Sequence, residues 1–581
     1  MQTLKRLTAF LLVAVMAVGA FAGCSGEKED AGPYTYAYFT ENAPATLDPG
    51  VPQYDVDMVQ YLGLLYEGLF RINSNGKLEK ALCDDYYTEE INGETKLYIE
   101  LKDTCWSDGV SVTASNIVYA WKRLLEPNYE GPAASLLLCL KNAVAVKEGV
   151  QKMMTIDDIG LVELNEKLLE ITFEDPDYNV DLFLRGLASP YLVPVREELV
   201  AANPEGWATS AVEDPTTIVT NGPYSIAAWT KDKLTLKRNS YYYLKGIATE
   251  NKQKYVNPEK ITISFGKAAD AEGVFNATKS GDAENSFLFY LGNFSGENNY
   301  KTKKQDLLAT TVVYVNTSNK VFSKRSVRQG LSAALDRAAI AEAVGGKAAT
   351  ALVPYGVFET NKASKSFRKV GGNLLGYYTS TEPLNSVSGT VTLTVLEGKA
   401  EHLAAANIII DAWKAHGITV KLRQLAYDKY CTVMRLGAYE AIIADLHAYS
   451  TDAFSVLGQF ATKYSGKALE QNKNYEYGFT PHSTGLKDEE FDALMEQAFK
   501  ENNLKKRAKL LHDAEELLID DMVAIPLYFN VDEYATTEMS GLKTSWYGFK
   551  VFNKVKVSDY KYYIEVEEQI LADQLEQSLK K

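Results

Sequence analysis

Residues 391–422 read VTLTVLEGKAEHLAAANIIIDAWKAHGITVKL. The first six residues (VTLTVL) form a β-branched and leucine run, the composition of a strand. Residues 402–416 follow as a helix that stops at Gly417, a residue suited to helix ends. Residues 418–422 alternate apolar and polar and predict the next strand. A strand, a helix and a strand in this order imply a parallel pair joined by a right-handed crossover. Shortly after, residues 441–444 (AIIA) form a fully apolar strand, expected to lie centrally in a sheet.

Working outward, residues 311–316 (TVVYVN) and 522–529 (MVAIPLYF) predict two further strands, placed where the chain crosses between domains and returns. Residues 326–344 predict one strong helix with Leu331, Ala334, Leu335 and Ile340 facing inward, ended by Gly345-Gly346. Residues 488–519 hold two helices. Towards the N-terminus, residues 33–39 (PYTYAYF) and 96–102 (KLYIELK) predict strands. Residues 58–69 and 113–125 carry helically spaced apolar residues, and Pro127 stops the second helix. Thr113 is placed to cap it, with Asn116 three positions on. The composition shifts towards Pro, Glu and Thr over residues 203–217, a candidate boundary. Asn221-Gly222-Pro223-Tyr224 is a tight turn, and residues 224–229 and 234–236 after it predict a hairpin. Residues 261–265 (ITISF) predict another strand. Strands and helices mixed over this length imply an α/β protein of several lobes, with the clefts between lobes as the default ligand site.

Composition limits the functions. The chain has 581 residues, which suggests two to four domains. Its net charge of −15 argues against binding nucleic-acid phosphates, which needs a basic face. Tyrosine is abundant at 37 residues, and its apolar ring with a hydrogen-bonding tip suits adaptable binding surfaces. The same abundance also fits half-buried strand positions. The five histidines stand in no metal-ligand spacing, and no metal site is expected. Cys83, Cys105, Cys139 and Cys431 form no C-x-x-C pair; a Cys83–Cys105 disulfide and buried free thiols both remain open.

The N-terminus bears on location. Lys5 and Arg6 precede a 14-residue, almost wholly apolar run over residues 7–20, shorter than the roughly 20 needed to span a membrane. Phe21-Ala22-Gly23 then leads into Cys24. This pattern reads as a secretory signal over residues 1–23. It resembles a bacterial lipoprotein signal cleaved before Cys24, with lipid attached to the sulfur; Phe21 stands where Leu is usual. An ordinary signal cut nearby, with Cys24 incidental, is the plainer alternative. Residues 25–33 (SGEKEDAGP) lack apolar periodicity and read as a flexible linker.

Several segments together resemble the oligopeptide-binding protein family, the extracytoplasmic peptide-binding components of ABC transporters. They are Thr46-Leu47-Asp48-Pro49, Tyr66-Glu67-Gly68-Leu69, Trp106-Ser107-Asp108-Gly109 and Tyr119-Ala120-Trp121-Lys122-Arg123. Asn221-Gly222-Pro223-Tyr224, Val327-Arg328-Gln329 and Ala334-Leu335-Asp336-Arg337 follow in order. Most of these read as structural. Asp48 and the Trp106–Gly109 segment are turn formers, and Arg328, Asp336 and Arg337 a helix-surface salt-bridge set.

The resemblance implies a type II periplasmic-binding-protein-like α/β fold, two lobes around a ligand cleft plus an extra domain. It divides the chain into a discontinuous lobe I (residues 34–75, 215–310 and 520–563), an extra domain (76–214) and lobe II (311–519). A lipidated cysteine with linker (24–33) precedes these, and a C-terminal tail (564–581) follows. It also implies a site. An extended ligand lies between the lobes and bonds backbone groups as an added strand does. Asn42, Ala43, Pro44 and Ala45 stand on one side, and Asp445, Leu446, His447, Ala448 and Tyr449 on the other. This chain departs from the pattern. Leu446 takes a Trp position, Tyr449 takes the position of the Asp that pairs with a peptide's amino group, and Ala133 takes that of a first-lobe Tyr. Either Asp445 or Asp452 supplies the anion instead, or the ligand has no free amine. His402 and Arg435 resemble positions that meet a terminal carboxylate, a role that suits arginine. A surface helix-start histidine and a salt-bridged arginine are the plainer alternatives.

The function implied is a monomeric, membrane-anchored binding protein on the outer face of the bacterial cytoplasmic membrane. It captures oligopeptides by lobe closure and delivers them to an ABC permease, with no cofactor and no nucleic-acid partner. The alternatives are the same role with a metal chelate, haem or oligosaccharide, and a surface-anchored hydrolase using Asp445 and Asp452 as paired carboxylates.

Overall fold

The structure is a computed structural model. It describes residues 35–40, 43–51, 58–127, 129, 131–149, 154–204, 206–242, 260–266, 273, 288–291, 302–465, 484–536, 539–552 and 555–557. The signal segment, Cys24, the linker, Asn42 and the C-terminal tail lie outside the described residues.

Residues 391–422 form the expected strand–helix–strand unit. Gly389–Leu396 and Ile418–Leu425 pair in parallel, joined by the helix Ala400–Lys414. Gly417, with φ of +80°, turns the chain out of the helix. Trp413 on this helix is fully buried, and its Nε1 donates to the Leu331 carbonyl at 3.2 Å. That contact seats the unit on the neighbouring helix Arg325–Ala333.

Among the described residues eleven strands form one sheet. In spatial order the main path is Ile418–Leu425 (β15), Gly389–Leu396 (β14), Ala441–His447 (β16), Lys303–Val315 (β12), Ala524–Thr536 (β17), Leu288–Leu291 (β11), Thr35–Thr40 (β1), Lys260–Phe265 (β10), Lys233–Arg238 (β9) and Tyr224–Trp229 (β8). The short strand Lys347–Ala348 (β13) pairs with β17 off this path. Every residue of β16 is buried, as its apolar start predicts. The strands expected at the crossings are the ends of two 13-residue strands, β12 and β17, which pair with each other. Beyond that pair, β12 meets β16 on one side and β17 meets β11 on the other. Both are long enough to belong to each half of the sheet.

A second unit is inserted between β1 and β8. Phe70–Ile72 (β2) and Leu78–Lys80 (β3) form a hairpin. Cys83–Ile91 (β4), Glu94–Leu101 (β5), Leu161–Asn165 (β6) and Leu168–Thr172 (β7) form an antiparallel sheet in the order β4-β5-β7-β6. The helix Ala114–Leu125 begins as expected: the Asn116 Oδ1 accepts from the Thr113 N–H at 3.0 Å and from the Trp106 Nε1 at 3.1 Å. One side chain therefore caps the helix and holds the turn before it. The Asn221–Tyr224 turn returns the chain to the main sheet. Its Gly222 N–H donates to the Leu65 carbonyl at 2.8 Å, and a Cβ on residue 222 would lie 2.6 Å from the backbone of Leu65 and Tyr66. Only glycine permits that approach.

Two expectations need correction. Residues 326–344 are two helices, Arg325–Ala333 and Arg337–Val344, because the Asp336 carboxylate accepts from the Ala338 and Ala339 N–H groups and starts a new helix. The arginines there are no surface set. Arg328 is buried and pairs with Asp521 at 2.7 Å. Arg337 donates to the carbonyls of Pro526 and Ser332, so it ties the helices to β17. Cys83, Cys105, Cys139 and Cys431 take part in no disulfide among the described residues, so no Cys83–Cys105 bridge forms.

Candidate functional site

The end of β16 carries most of the expected ligand-side residues. Asp445 is buried and registers opposite Thr311 of β12, whose hydroxyl donates to it. His402, fully buried in the first turn of its helix, places Nε2 3.5 Å from the same carboxylate oxygen. Burial alone would raise the pKa of Asp445. The hydrogen bond and charge of His402, aided by Lys399 and His447, outweigh it and hold the carboxyl below the usual carboxylate range. The structure thus joins His402 and Asp445, two residues assigned separately to a carboxylate and an amine. Arg435 is exposed in the last turn of the helix Tyr427–Leu436.

A lowered pKa means the folded state holds its proton less tightly than the unfolded chain. The resulting stability is present above the unfolded value of about 3.9 and drains as pH falls towards the folded value. Asp445→Asn is therefore expected to destabilise the protein by about 2 kcal/mol at pH 7. The difference should shrink by pH 3, as read by urea unfolding at both pH values. An equal loss at both would show that the Asp445 charge is not what is lost.

Beyond Asp445 the chain reaches a seam of aromatic residues. Leu446 is buried in the core. The carbonyl of His447 accepts from Gln459 Nε2 at 2.7 Å. The Tyr449 ring is 6.3 Å from that of His447 and 4.8 Å from that of Tyr191, which belongs to the inserted unit. Asp452 is held by Arg507 at 2.6 Å. Next to it the Phe358 N–H donates to the Thr451 carbonyl at 2.8 Å, and Phe358 meets Trp546 edge-on at 5.3 Å. The Arg185 guanidinium lies over the Phe358 ring at 5.6 Å. Tyr547 is buried beside Arg185 and Tyr191, close enough for both to act on its hydroxyl.

Arg185, Tyr191, Phe358, Trp546 and Tyr547 are absent from the sequence expectations. The structure, not the sequence, supplies the cue. Residues 187–195 (LASPYLVPV) contain two prolines and no regular element, yet every residue is buried. A buried irregular segment must have something packed over it, and here Tyr449 supplies part of that cover.

The other expected loop is anchored elsewhere. Ala43 is exposed, Pro44 buried and Ala45 half-buried. The next residues bond Ala208: the Leu47 N–H donates to its carbonyl at 2.7 Å and the Thr46 hydroxyl at 3.2 Å. Ala133, at the expected tyrosine position, is buried. Among the described residues no cluster of ligating side chains fits a metal ion, and no helix is long and apolar enough to cross a membrane.

This geometry matches known proteins along most of the chain. The dipeptide-binding protein DppE of Bacillus subtilis is 26% identical over 511 residues, 84% of this chain and 85% of its own. The oligopeptide-binding protein OppA of the same organism is 26% identical over 562 residues, 92% of this chain and 95% of its own. The substrate-binding domain of an oligopeptide ABC transporter from Bacillus anthracis superposes with a TM-score of 0.74 at 21% identity, covering 91% of this chain and 100% of that one. The fold is that of the type II periplasmic binding proteins. The family model for the middle region of bacterial extracellular solute-binding proteins, family 5, matches residues 77–468. The chain belongs to that family of bacterial extracellular solute-binding proteins.

Proposed function

We propose that this protein captures oligopeptides in the seam between the inserted unit and the end of β16, and passes them to an ABC permease. The observation that carries this reading is the Tyr191–Tyr449 contact. It joins residues 76–214 to residues 311–519 over the segment that β16 leads into, where an extended ligand bonds backbone groups. In this reading lobe I comprises residues 34–75, 215–310 and 520–563, and the lobes close as two bodies on the β12 and β17 crossings. Cys24 carries the lipid tether that keeps the protein near its permease and raises the effective concentration of the pair. The hydrolase reading loses support, because His402 and Thr311 engage Asp445 and Arg507 engages Asp452.

Tyr449 makes the recognition unusual. It fills the position from which a carboxylate meets a peptide's ammonium, so the free amine contributes little here. N-acetylating a bound peptide is expected to change its affinity less than fivefold. Losing a charge-assisted bond of about 1.5–3 kcal/mol would cost at least tenfold. Titration calorimetry on matched free and acetylated peptides of two to six residues checks this. Saturating peptide at about 100 times its Kd should add close to 2.7 kcal/mol to folding stability. Failure of every peptide to stabilise the protein, alongside stabilisation by an oligosaccharide or haem, would replace the peptide reading with a non-peptide one.

A further inference from the structure

Arg185 stands in the last turn of the helix Val180–Gly186, on the side of the seam opposite Phe358. Its Nη1 is buried and has no hydrogen-bond partner among the described residues. Arg123, Arg328, Arg368 and Arg507 each meet a carboxylate, at 2.6 to 2.7 Å. Arg185 makes no ion pair among the described residues; Asp181, four residues earlier and exposed, acts on it only through space. Beside it the Tyr547 hydroxyl is also buried, and it too has no partner among the described residues. Two buried donors therefore lie near enough to act on each other, with no acceptor among the described residues. A buried donor left unpaired costs free energy, and beside the seam a ligand acceptor would recover that cost.

We propose that Arg185 and Tyr547 form an anion-binding subsite at the edge of the seam, which takes a carboxylate of the bound ligand. The inference rests on the ligand lying in the seam. The guanidinium fork matches two carboxylate oxygens, and the phenol adds a third donor. The Phe358 ring beneath the guanidinium holds it in place by cation–π attraction, and Trp546 braces that ring from the edge. Burial lowers the pKa of Arg185 and raises that of Tyr547, yet the first stays charged and the second stays protonated. Both therefore donate at neutral pH. His402 and Asp445 already engage each other, so the carboxylate role expected of His402 passes to Arg185.

The test is titration calorimetry of the full chain with a tetrapeptide in four forms: free C-terminus, C-terminal amide, and the amide with one internal Glu or the matching Gln. The wild type is expected to prefer one carboxylate form over its neutral match by about tenfold or more. The preferred form identifies a terminal or a side-chain carboxylate. Arg185→Gln should abolish that preference, so that each carboxylate form and its neutral match bind alike. Tyr547→Phe, which keeps the ring, should reduce the preference by about threefold. Equal weakening of acid and neutral forms by Arg185→Gln, or an unchanged preference, overturns the subsite but leaves peptide capture standing. A wild type that binds none of the four forms overturns peptide capture and the subsite with it. A wild type that binds all four equally overturns the subsite alone. Unfolding midpoints of both variants show whether they fold. If Arg185→Gln does not, Tyr547→Phe decides, and an unchanged preference in it counts against the proposal.

Discussion

Replacing Glu515 with leucine is expected to lower folding stability by about 3–5 kcal/mol, the usual cost of breaking a fully buried ion pair. Glu515 lies in the helix Leu504–Asp521 and is wholly inaccessible, as is its partner Arg368. The Arg368 Nη1 donates to both carboxylate oxygens, at 2.7 and 2.8 Å. The N–H groups of Leu352 and Val353 donate to the same side chain, at 3.1 and 2.7 Å. One carboxylate therefore ties a helix to the loop after β13 and to the helix Phe367–Gly371. Arg368 keeps Nε and Nη2 without partners among the described residues, so its desolvation is only partly compensated. That asymmetry sets the control. Arg368→Met with Glu515→Leu should recover part of the loss by removing the stranded cation. Full recovery is not expected, since two backbone N–H groups stay unpaired at about 1–3 kcal/mol each. Guanidinium unfolding of the wild type and these two variants measures this, and a Glu515→Leu loss below about 1 kcal/mol would mean that the pair contributes little beyond its neutral packing.

The legible part of this fold follows local periodicity. Residues 391–422 declare two strands and a helix because their apolar spacing changes from two to 3.6 and back. The 441–444 run declares a central strand because it is apolar on both faces. Residues 326–344 mislead because the apolar positions continue in helical register through the break. The signal against one helix is Asp336, an N-cap residue followed by Arg-Ala-Ala, and a capping carboxylate outweighs continuous periodicity. Asp445 shows a different limit. The resemblance offers it as a ligand anion, and the structure gives it to His402, 43 residues away in sequence. Nothing local reports that pairing. The aromatic seam is hidden for the same reason: Arg185, Tyr191, Phe358, Tyr449 and Tyr547 come from four separated stretches and meet only through tertiary packing. Neither a spacing rule nor a propensity carries information about contacts of that kind.

Asp48→Ala is expected to cost about 3 kcal/mol of stability and to weaken ligand binding as well. Asp48 is a turn former, as its place before Pro49 suggests, and its Oδ1 accepts from the Gly50 N–H at 2.8 Å. It is also buried and holds far more. Arg123 donates to its two oxygens at 2.9 and 2.6 Å, and Trp207 Nε1 donates at 3.0 Å. The loop from Ala43 to Gly50 is thereby fastened to the helix Ala114–Leu125 and to the Trp207 segment, both in the inserted unit. Burial pushes the Arg123 pKa down, but Asp48 overrides it and the net shift is upward, so the guanidinium is charged at any accessible pH. Removing Asp48 strands that cation among buried groups, whereas Asp48→Asn keeps the size and the turn while losing the charge. The asparagine variant should therefore fall between wild type and alanine in unfolding experiments. The effect on binding follows from position. If Ala43, Pro44 and Ala45 line one side of the peptide, freeing their anchor makes the ligand bear the cost of ordering them, and affinity should drop severalfold without any lost contact. Calorimetry on Asp48→Asn, at a temperature where the variant is fully folded, separates the two effects. Unchanged affinity together with reduced stability would place the Ala43–Ala45 loop away from the ligand.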